Sequence, residues 1–174
     1  VLQSTIDIDA MIKKTANEKM SAIAITDHGN MMGAFKFVSA VNDHNKNVKK
    51  ANETAIENGE IPTESEIKPI VGCEFFVCEK HTDKSKKDNG YQIVLLAKNK
   101  KGYHNLAKLA SIASIDGFYY VPRIDKEILL KYKEDIIVLS GNLYGEIPNK
   151  ILNIGEKQAE EALLWWKEHF QHDF

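Results

Sequence analysis

Ile25-Thr26-Asp27-His28-Gly29-Asn30 is the hexapeptide with the densest set of side chains able to do chemistry. A histidine closing a short apolar strand, with an aspartate before it to orient the ring, suits a metal ligand or a general base. The glycine that follows lets the chain turn tightly beside a ligand. The same residues also suit a structural loop whose histidine is satisfied by ordinary hydrogen bonds, and spacing alone does not separate the two. Val71-Gly72-Cys73-Glu74-Phe75-Phe76-Val77 poses a second question, because it sets a carboxylate inside an apolar strand. A buried glutamate is costly unless it is paired or metal-bound. The alternative is a salt bridge from Glu74 to a lysine at the strand edge.

Other candidates carry less. Lys80 to Lys87 could grip phosphates, but aspartates interrupt the run and no aromatic residue is interleaved, so it reads as a solvated mobile loop. Trp165 and Trp166 read as core packing and not as a base-stacking platform. His44, His81, His104, His169 and His172 read as surface or helix-face residues with no assigned role, and the six histidines form no HxH or HxxxH pattern. Cys73 and Cys78 are too few for a disulfide scaffold and read as reduced thiols. A P-loop, a dinucleotide-binding glycine fingerprint and a hydrolase nucleophile elbow are all missing.

The elements that must position these residues follow from periodicity. Asp7 to Met20 has helical spacing with acidic residues at its start. Ala22 to Thr26 is a short apolar strand, and Met31, Ala34, Phe35, Val38 and Val41 mark a second helix. The segment 42–66 is rich in Asn, Lys and Glu and predicts a surface insertion with a weak helix from Val48 to Glu57. Strands follow at Pro69–Cys78 and Tyr91–Lys98, then a helix at Lys100–Ser114. Phe118 to Val121 is a brief extended piece stopped by Pro122, and Asp125 caps a short helix through Tyr132. Asp135 to Leu139 is a strand, and two helices end the chain. Apolar strands alternating with helices imply an α/β fold with a mostly parallel sheet. In such folds ligands gather past the carboxyl ends of strands, which singles out Asp27, His28, Glu74 and Asn142.

Composition narrows the function classes. The chain has 174 residues, with 23 Lys plus Arg against 25 Asp plus Glu and a formal net charge of −2. A freestanding nucleic-acid binder has a basic balance, which this chain lacks. Its longest apolar stretches, such as Ile93 to Ala97, are far too short to span a bilayer, and no signal peptide is visible. The expectation is a soluble, cytoplasmic protein with no membrane partner. Both termini read as cuts inside a larger domain.

Five blocks, read in order, resemble a known family: Ile25-Thr26-Asp27-His28-Gly29-Asn30-Met31, Pro69-Ile70-Val71-Gly72-Cys73-Glu74-Phe75, Leu95-Leu96-Ala97-Lys98-Asn99, Gly117-Phe118-Tyr119-Tyr120 with Pro122-Arg123-Ile124-Asp125, and Leu139-Ser140-Gly141 with Gly145-Glu146-Ile147-Pro148. The string resembles the polymerase-and-histidinol-phosphatase (PHP) domain in the form found at the amino end of bacterial replicative DNA polymerase III alpha subunits. It covers essentially the whole chain apart from 42–66, so residues 1–174 are expected to form a single partial PHP domain. The resemblance implies a distorted β/α barrel, here truncated at both ends, whose strand-end loops in some members hold up to three metal ions. There, metal-activated water would attack phosphorus in phosphoester hydrolysis.

By motif, the resemblance makes His28 one ligand, Glu74 the carboxylate bridging two metals, and Asp27 the residue that orients its neighbour. The family's opening HxH block and its closing ligand block would lie outside Val1–Phe174. Where metal-binding members have histidine this chain has Gln92, and where they have cysteine or histidine it has Asn142. Neutral amides are poor zinc ligands beside imidazole and thiolate. A vestigial site is therefore expected, in which Gln92 and Asn142 hydrogen-bond one another or Glu74. Residual zinc or manganese is the cofactor such a site could keep, and magnesium is expected only for the parent polymerase. Arg123 is expected to reach the barrel mouth or an acidic partner such as Glu146, the alternative being an exposed solubilising residue.

The functional expectation is a fragment of a replicative DNA polymerase, inactive alone, whose domain braces the polymerase body. Its partners would be the rest of the alpha chain, a proofreading exonuclease subunit, and DNA through the parent enzyme. The alternatives are a metal-dependent phosphoesterase, either a proofreading nuclease or a small-molecule phosphatase, and a stand-alone regulatory binding module.

Overall fold

Asp7 opens the first helix of the computed structural model, which describes residues 5–63 and 65–174. The chain forms two compact units, Val1–Ile25 with Met32–Ile70 and Thr26–Met31 with Val71–Phe174, and each is described by itself.

In the first unit, Asp7 is extended and its carboxylate accepts from the Ala10 amide at 2.9 Å, starting α1 (Ile8–Asn17). Thr15 is buried, and its hydroxyl turns back to the Met11 carbonyl at 2.9 Å, so that hydroxyl is not orphaned. After α1 comes β1 (Ala22–His28), which runs two residues beyond the predicted strand and takes Asp27 and His28 out of the expected loop.

The helix α2 (Ala34–Glu57) contains the weak helix expected over Val48–Glu57 and begins well before it. One 24-residue helix runs through most of the segment 42–66. Phe37, Val41 and Val48 recur four and seven residues apart, and all three are at most 1% exposed. The polar residues that suggested an insertion occupy the solvent side of the same helix. Asn45 ties the helix to the chain beyond it, because its side-chain amide donates to the Ile67 carbonyl at 2.8 Å and accepts from the Ile67 amide at 2.9 Å. Ile12, Phe37, Val41 and Ile67 form this unit's core, with Ile8, Met11, Ile23 and Ile25 packed against it.

The second unit contains most of β2 (Lys68–Cys78), then β3 (Tyr91–Ala97), α3 (Lys100–Ile115), β4 (Arg123–Asp125), α4 (Lys126–Lys131), β5 (Ile136–Leu139), α5 (Glu146–Asn153), α6 (Glu156–Phe170) and a closing 3-10 turn. The five-stranded sheet has the order β1-β2-β3-β5, with β4 also paired to β2. The mostly parallel sheet predicted from the sequence is corrected here, because β2–β3 and β3–β5 are antiparallel and β2–β4 is parallel. The reason lies in the connections. Residues 79–90 join β2 to β3 without a helix, so the chain doubles back, whereas α3 supplies the crossover that delivers β4 parallel to β2. Pro122 precedes β4 and does not merely end an extended piece. The start of a strand tolerates the missing N–H.

Alternation along the strands sorts their side chains between two faces. Cys73, Phe75, Val77, Ile93, Leu95 and Ile124 are buried with Leu106, Leu109, Leu129, Trp166 and Phe170 from the helices. Trp165 packs against this core and Trp166 lies within it. Glu74 and Phe76 point to the opposite face, where the register sets Glu74 across from Val94 and Phe76 across from Gln92. No helix among the described residues is long and apolar enough to cross a membrane.

Candidate functional site

The end of β1 is held beside β2 by backbone contacts. Gly29 adopts φ +69°, a left-handed conformation suited to glycine, and its amide donates to the Glu74 carbonyl at 2.8 Å. The Cys73 thiol donates to the Asn30 carbonyl at 3.2 Å, and the Asn30 side-chain amide donates to the His28 carbonyl at 3.0 Å. These bonds bring His28 Nδ1 directly onto Glu74 Oε1. The imidazole also stands edge-on to Phe76, with ring centroids 4.8 Å apart at 82°. Both polar side chains keep some exposure, 30% for His28 and 22% for Glu74. Glu74 therefore pairs with His28, and not with an edge lysine.

Glu74, and not only the neighbouring Asp27, stands in position to orient the His28 ring, because it is the side chain bonded to Nδ1. Asp27 precedes His28 on an alternating strand, and its charge is felt by Cys73. Burial, then the Asp27 carboxylate, pushes the Cys73 thiol up to about 12.

Gln92 and Asn142 do not close the site as expected. Gln92 Oε1 is buried and has no hydrogen-bond partner, while its backbone amide donates to the Tyr144 carbonyl at 3.0 Å. Asn142 is exposed, and its side-chain oxygen accepts from the Tyr144 amide at 2.8 Å. The turn Ser140–Gly145 is therefore stabilised by Asn142 itself, and this draws its amide oxygen into backbone bonding.

Arg123 is fully buried, which excludes the solubilising alternative. Its partners also differ from the expected Glu146. Nε donates to the Gly117 carbonyl at 3.0 Å, Nη1 to Asp88 O at 2.7 Å, and Nη2 to His81 O at 3.1 Å and Asp83 O at 2.9 Å. One guanidinium fork thus fastens the loop 79–90 to the segment after α3. The same contacts correct the prediction that Lys80–Lys87 is a mobile solvated loop. Its lysines are exposed, but its backbone is anchored at the His81 and Asp83 carbonyls, and the adjoining Asp88 carbonyl is held as well.

Two polar clusters carry no clear signal in the sequence. His81 reads there as a residue without a role, yet its ring Nδ1 and its backbone amide both meet Asp125 Oδ2, while Asp125 Oδ1 caps α4 through the Ile128 amide at 2.9 Å. Burial alone would raise the Asp125 carboxyl, but the bonds from His81 and Ile128 outweigh it and hold the group below its ordinary value. Glu146 is the second centre. It binds Lys126 at 2.9 Å, Lys150 at 2.8 Å and the Trp166 indole N–H at 2.9 Å. Burial opposes its ionisation too, yet the two ammonium groups hold it below the usual carboxylate range. Asp125 does carry a local signal, as a helix cap. His81 carries none, since its partner lies 44 residues away.

The donor set does not fit the metal cluster that the family resemblance implies. Among the described residues, no three His, Cys, Asp or Glu side chains converge to hold an ion. His28 and Glu74 spend their facing atoms on each other, Gln92 offers a neutral amide oxygen, and the Asn142 oxygen is taken by Tyr144. Chemically, the pair can accept or donate a proton and can lock two strand ends together.

Comparison with known proteins places the chain. The family model for the PHP domain matches residues 1–174. DNA polymerase III subunit alpha of Borreliella burgdorferi is 39% identical over 178 residues, covering 100% of this chain and 14% of that protein. The Chlamydia trachomatis protein of the same name is 34% identical, with 100% of this chain and 13% of that protein covered. The Aquifex aeolicus one is 34% identical, with 99% and 14% covered. This chain thus spans a small fraction of the length of the curated relatives it matches. With the family's motifs on the strand ends just described, the chain belongs to the PHP domain family.

Proposed function

We propose that this chain is the PHP portion of a replicative DNA polymerase alpha chain, and that it serves there as a structural brace with a degenerate metal site. The observation that carries the reading is the direct His28–Glu74 bond, and the neutral, orphaned Gln92 amide oxygen agrees with it. A working metal centre would place an ion between such donors, with further ligands around it. Here the pair acts as a strand-end clasp, and the proposal includes no resident zinc or manganese. Magnesium belongs, on this reading, to the nucleotide-adding part of the longer protein.

Several finer points belong to the same reading. The five-stranded mixed sheet is part of a distorted β/α barrel. The domain's partners are the rest of the alpha chain and a proofreading exonuclease subunit, with DNA reached through the parent enzyme. Its compartment is the cytoplasm. Names and coverage of the relatives support the alpha-chain assignment.

The test is nucleotide incorporation by the full-length polymerase carrying His28→Ala or Glu74→Ala. A brace predicts folded variants that still extend a primer, with only a modest loss of thermal stability. Folded variants that no longer incorporate nucleotides would overturn the reading.

A further inference from the structure

The sequence offers no aromatic residue within the lysine run Lys80–Lys87, but the fold brings aromatics to it. Lys87 Nζ lies 5.2 Å from the centroid of the Tyr120 ring, and the Arg123 guanidinium lies 5.4 Å from that of Tyr119. The rings of Tyr119 and Tyr120 meet edge to face at 4.7 Å. Phe118 is 51% exposed and Tyr120 65% exposed, unusual for large aromatics so close in the chain. Tyr120 also sits at φ +64°, in the left-handed region that a bulky non-glycine residue rarely enters. That conformation is held by a tight bridge, Tyr119 N–H to Val121 O at 3.2 Å. Backbone strain is therefore maintained at the residue whose ring is presented to solvent.

Arg123 makes the arrangement rigid. Its four bonds hold Gly117, directly before the aromatic segment, together with His81, Asp83 and Asp88 in the loop. The loop's acidic residues are largely occupied within it. Asp88 accepts from the Glu79 and Gly90 amides, Asp83 accepts from the Ser85 amide, and Glu79 pairs with Lys86 at 2.8 Å. Lys80, Lys84 and Lys87 are exposed and make no ion pair with a carboxylate among the described residues.

We propose that Phe118, Tyr119 and Tyr120, with the lysines of the adjoining loop, form a stacking platform for a single-stranded polynucleotide. Bases stack on the exposed rings, and Lys84 and Lys87 neutralise the flanking phosphates. Aromatic stacking tolerates any base because each has a π-face, and nothing on the platform reads base edges. The chain's net charge of −2 keeps affinity modest and confines it to this patch. Arg123 is a positioning residue that never touches the ligand. This inference goes beyond the brace reading and does not depend on the His28–Glu74 clasp.

The experiment uses the full chain with a fluorescein-labelled oligothymidylate and an abasic oligomer of equal length, read by anisotropy. A bromodeoxyuridine version of the oligomer is crosslinked in parallel and mapped by mass spectrometry. Crosslinks at Phe118 to Tyr120 are expected, with oligothymidylate preferred over the abasic oligomer. Tyr120→Ala should weaken oligothymidylate binding by about ten-fold and leave the abasic oligomer unchanged. Tyr120→Trp should preserve binding, which a merely structural role for the ring would not predict. Lys84→Ala with Lys87→Ala should flatten the salt dependence by about 1.4 in log–log slope. Equal binding of the two oligomers, crosslinks that map elsewhere, or no binding at low salt would each overturn the proposal. In the last case the aromatic patch is a protein-contact surface.

Discussion

Asp125 Oδ2 accepts both the ring and the backbone amide of His81, while Oδ1 of the same carboxylate caps α4. One buried aspartate therefore joins a long surface loop to the start of a helix. Two residues earlier on β4, Arg123 holds the same loop through three of its carbonyls. Strand β4 has only three residues, yet it organises much of the surface around it.

Arg123→Ala should destabilise the protein by about 3–5 kcal/mol, because a desolvated cation and the carbonyls facing it lose one another together. Arg123→Lys should recover little, since a single ammonium cannot reproduce the fork. Urea unfolding followed by circular dichroism measures both. A loss under about 1 kcal/mol would mean the loop is not held in this way.

Val48→Ala should cost about 2 kcal/mol, as expected for a large-to-small change at a residue 1% exposed. Asn45→Ala should cost about 1–3 kcal/mol by leaving Ile67 backbone groups without their partner. If both substitutions were silent in thermal melts, the segment 42–66 would be the dispensable insertion that its composition suggests.

Stability should fall in acid, and two carboxylates should account for much of it. Asp125 and Glu146 are held below their ordinary values in the folded state. Each therefore stabilises the fold fully above the unfolded carboxylate range, and that contribution drains away as pH drops through the folded value. Unfolding free energy measured from pH about 6 down to about 3 should decline less steeply in Asp125→Asn and Glu146→Gln than in the parent. Parallel curves for all three proteins would refute the assignment.

The two thiols should resist alkylation at neutral pH. Burial is the main cause that pushes Cys73 up to about 12 and Cys78 up to about 11. Both folded values lie above that of an unfolded thiol, so the fold favours the protonated thiols and loses stability once the unfolded thiols begin to ionise. Their contribution is complete below the unfolded value and is lost as pH rises from there towards 11 and 12. Iodoacetamide should label neither residue appreciably until denaturant is added, and mass spectrometry would report early labelling of either.

Local features were legible in the sequence, and non-local ones were not. Asp125 reads as a helix cap because a cap acts within three residues. His28 and Glu74 stood out because each is a polar residue at or within an apolar strand, although their bond spans 46 positions. His81 was invisible because loop histidines are common and its partner is remote. Within 42–66 the helix was expected only from Val48 onward, because averaged composition hides that it continues from Ala34. Strand direction was lost for a similar reason, since pairing depends on whether a connection crosses over or doubles back. The nearness of Tyr120 to Lys87 is likewise a product of Arg123, whose four carbonyl partners no pattern reveals.

His28→Ala should lower stability by about 1 kcal/mol, since the pair it breaks is partly exposed. A double-mutant cycle with Glu74→Ala should return a coupling of similar size. Full additivity would mean the clasp contributes nothing.

Metal content is the most direct test of the central claim that His28 and Glu74 bond to each other in place of holding an ion. Plasma mass spectrometry on the full-length protein, purified without chelator beside its His28→Ala and Glu74→Ala variants, decides it. The account predicts no zinc or manganese that depends on either residue. Stoichiometric metal that falls away in both variants would contradict it and make the strand ends a working metal centre.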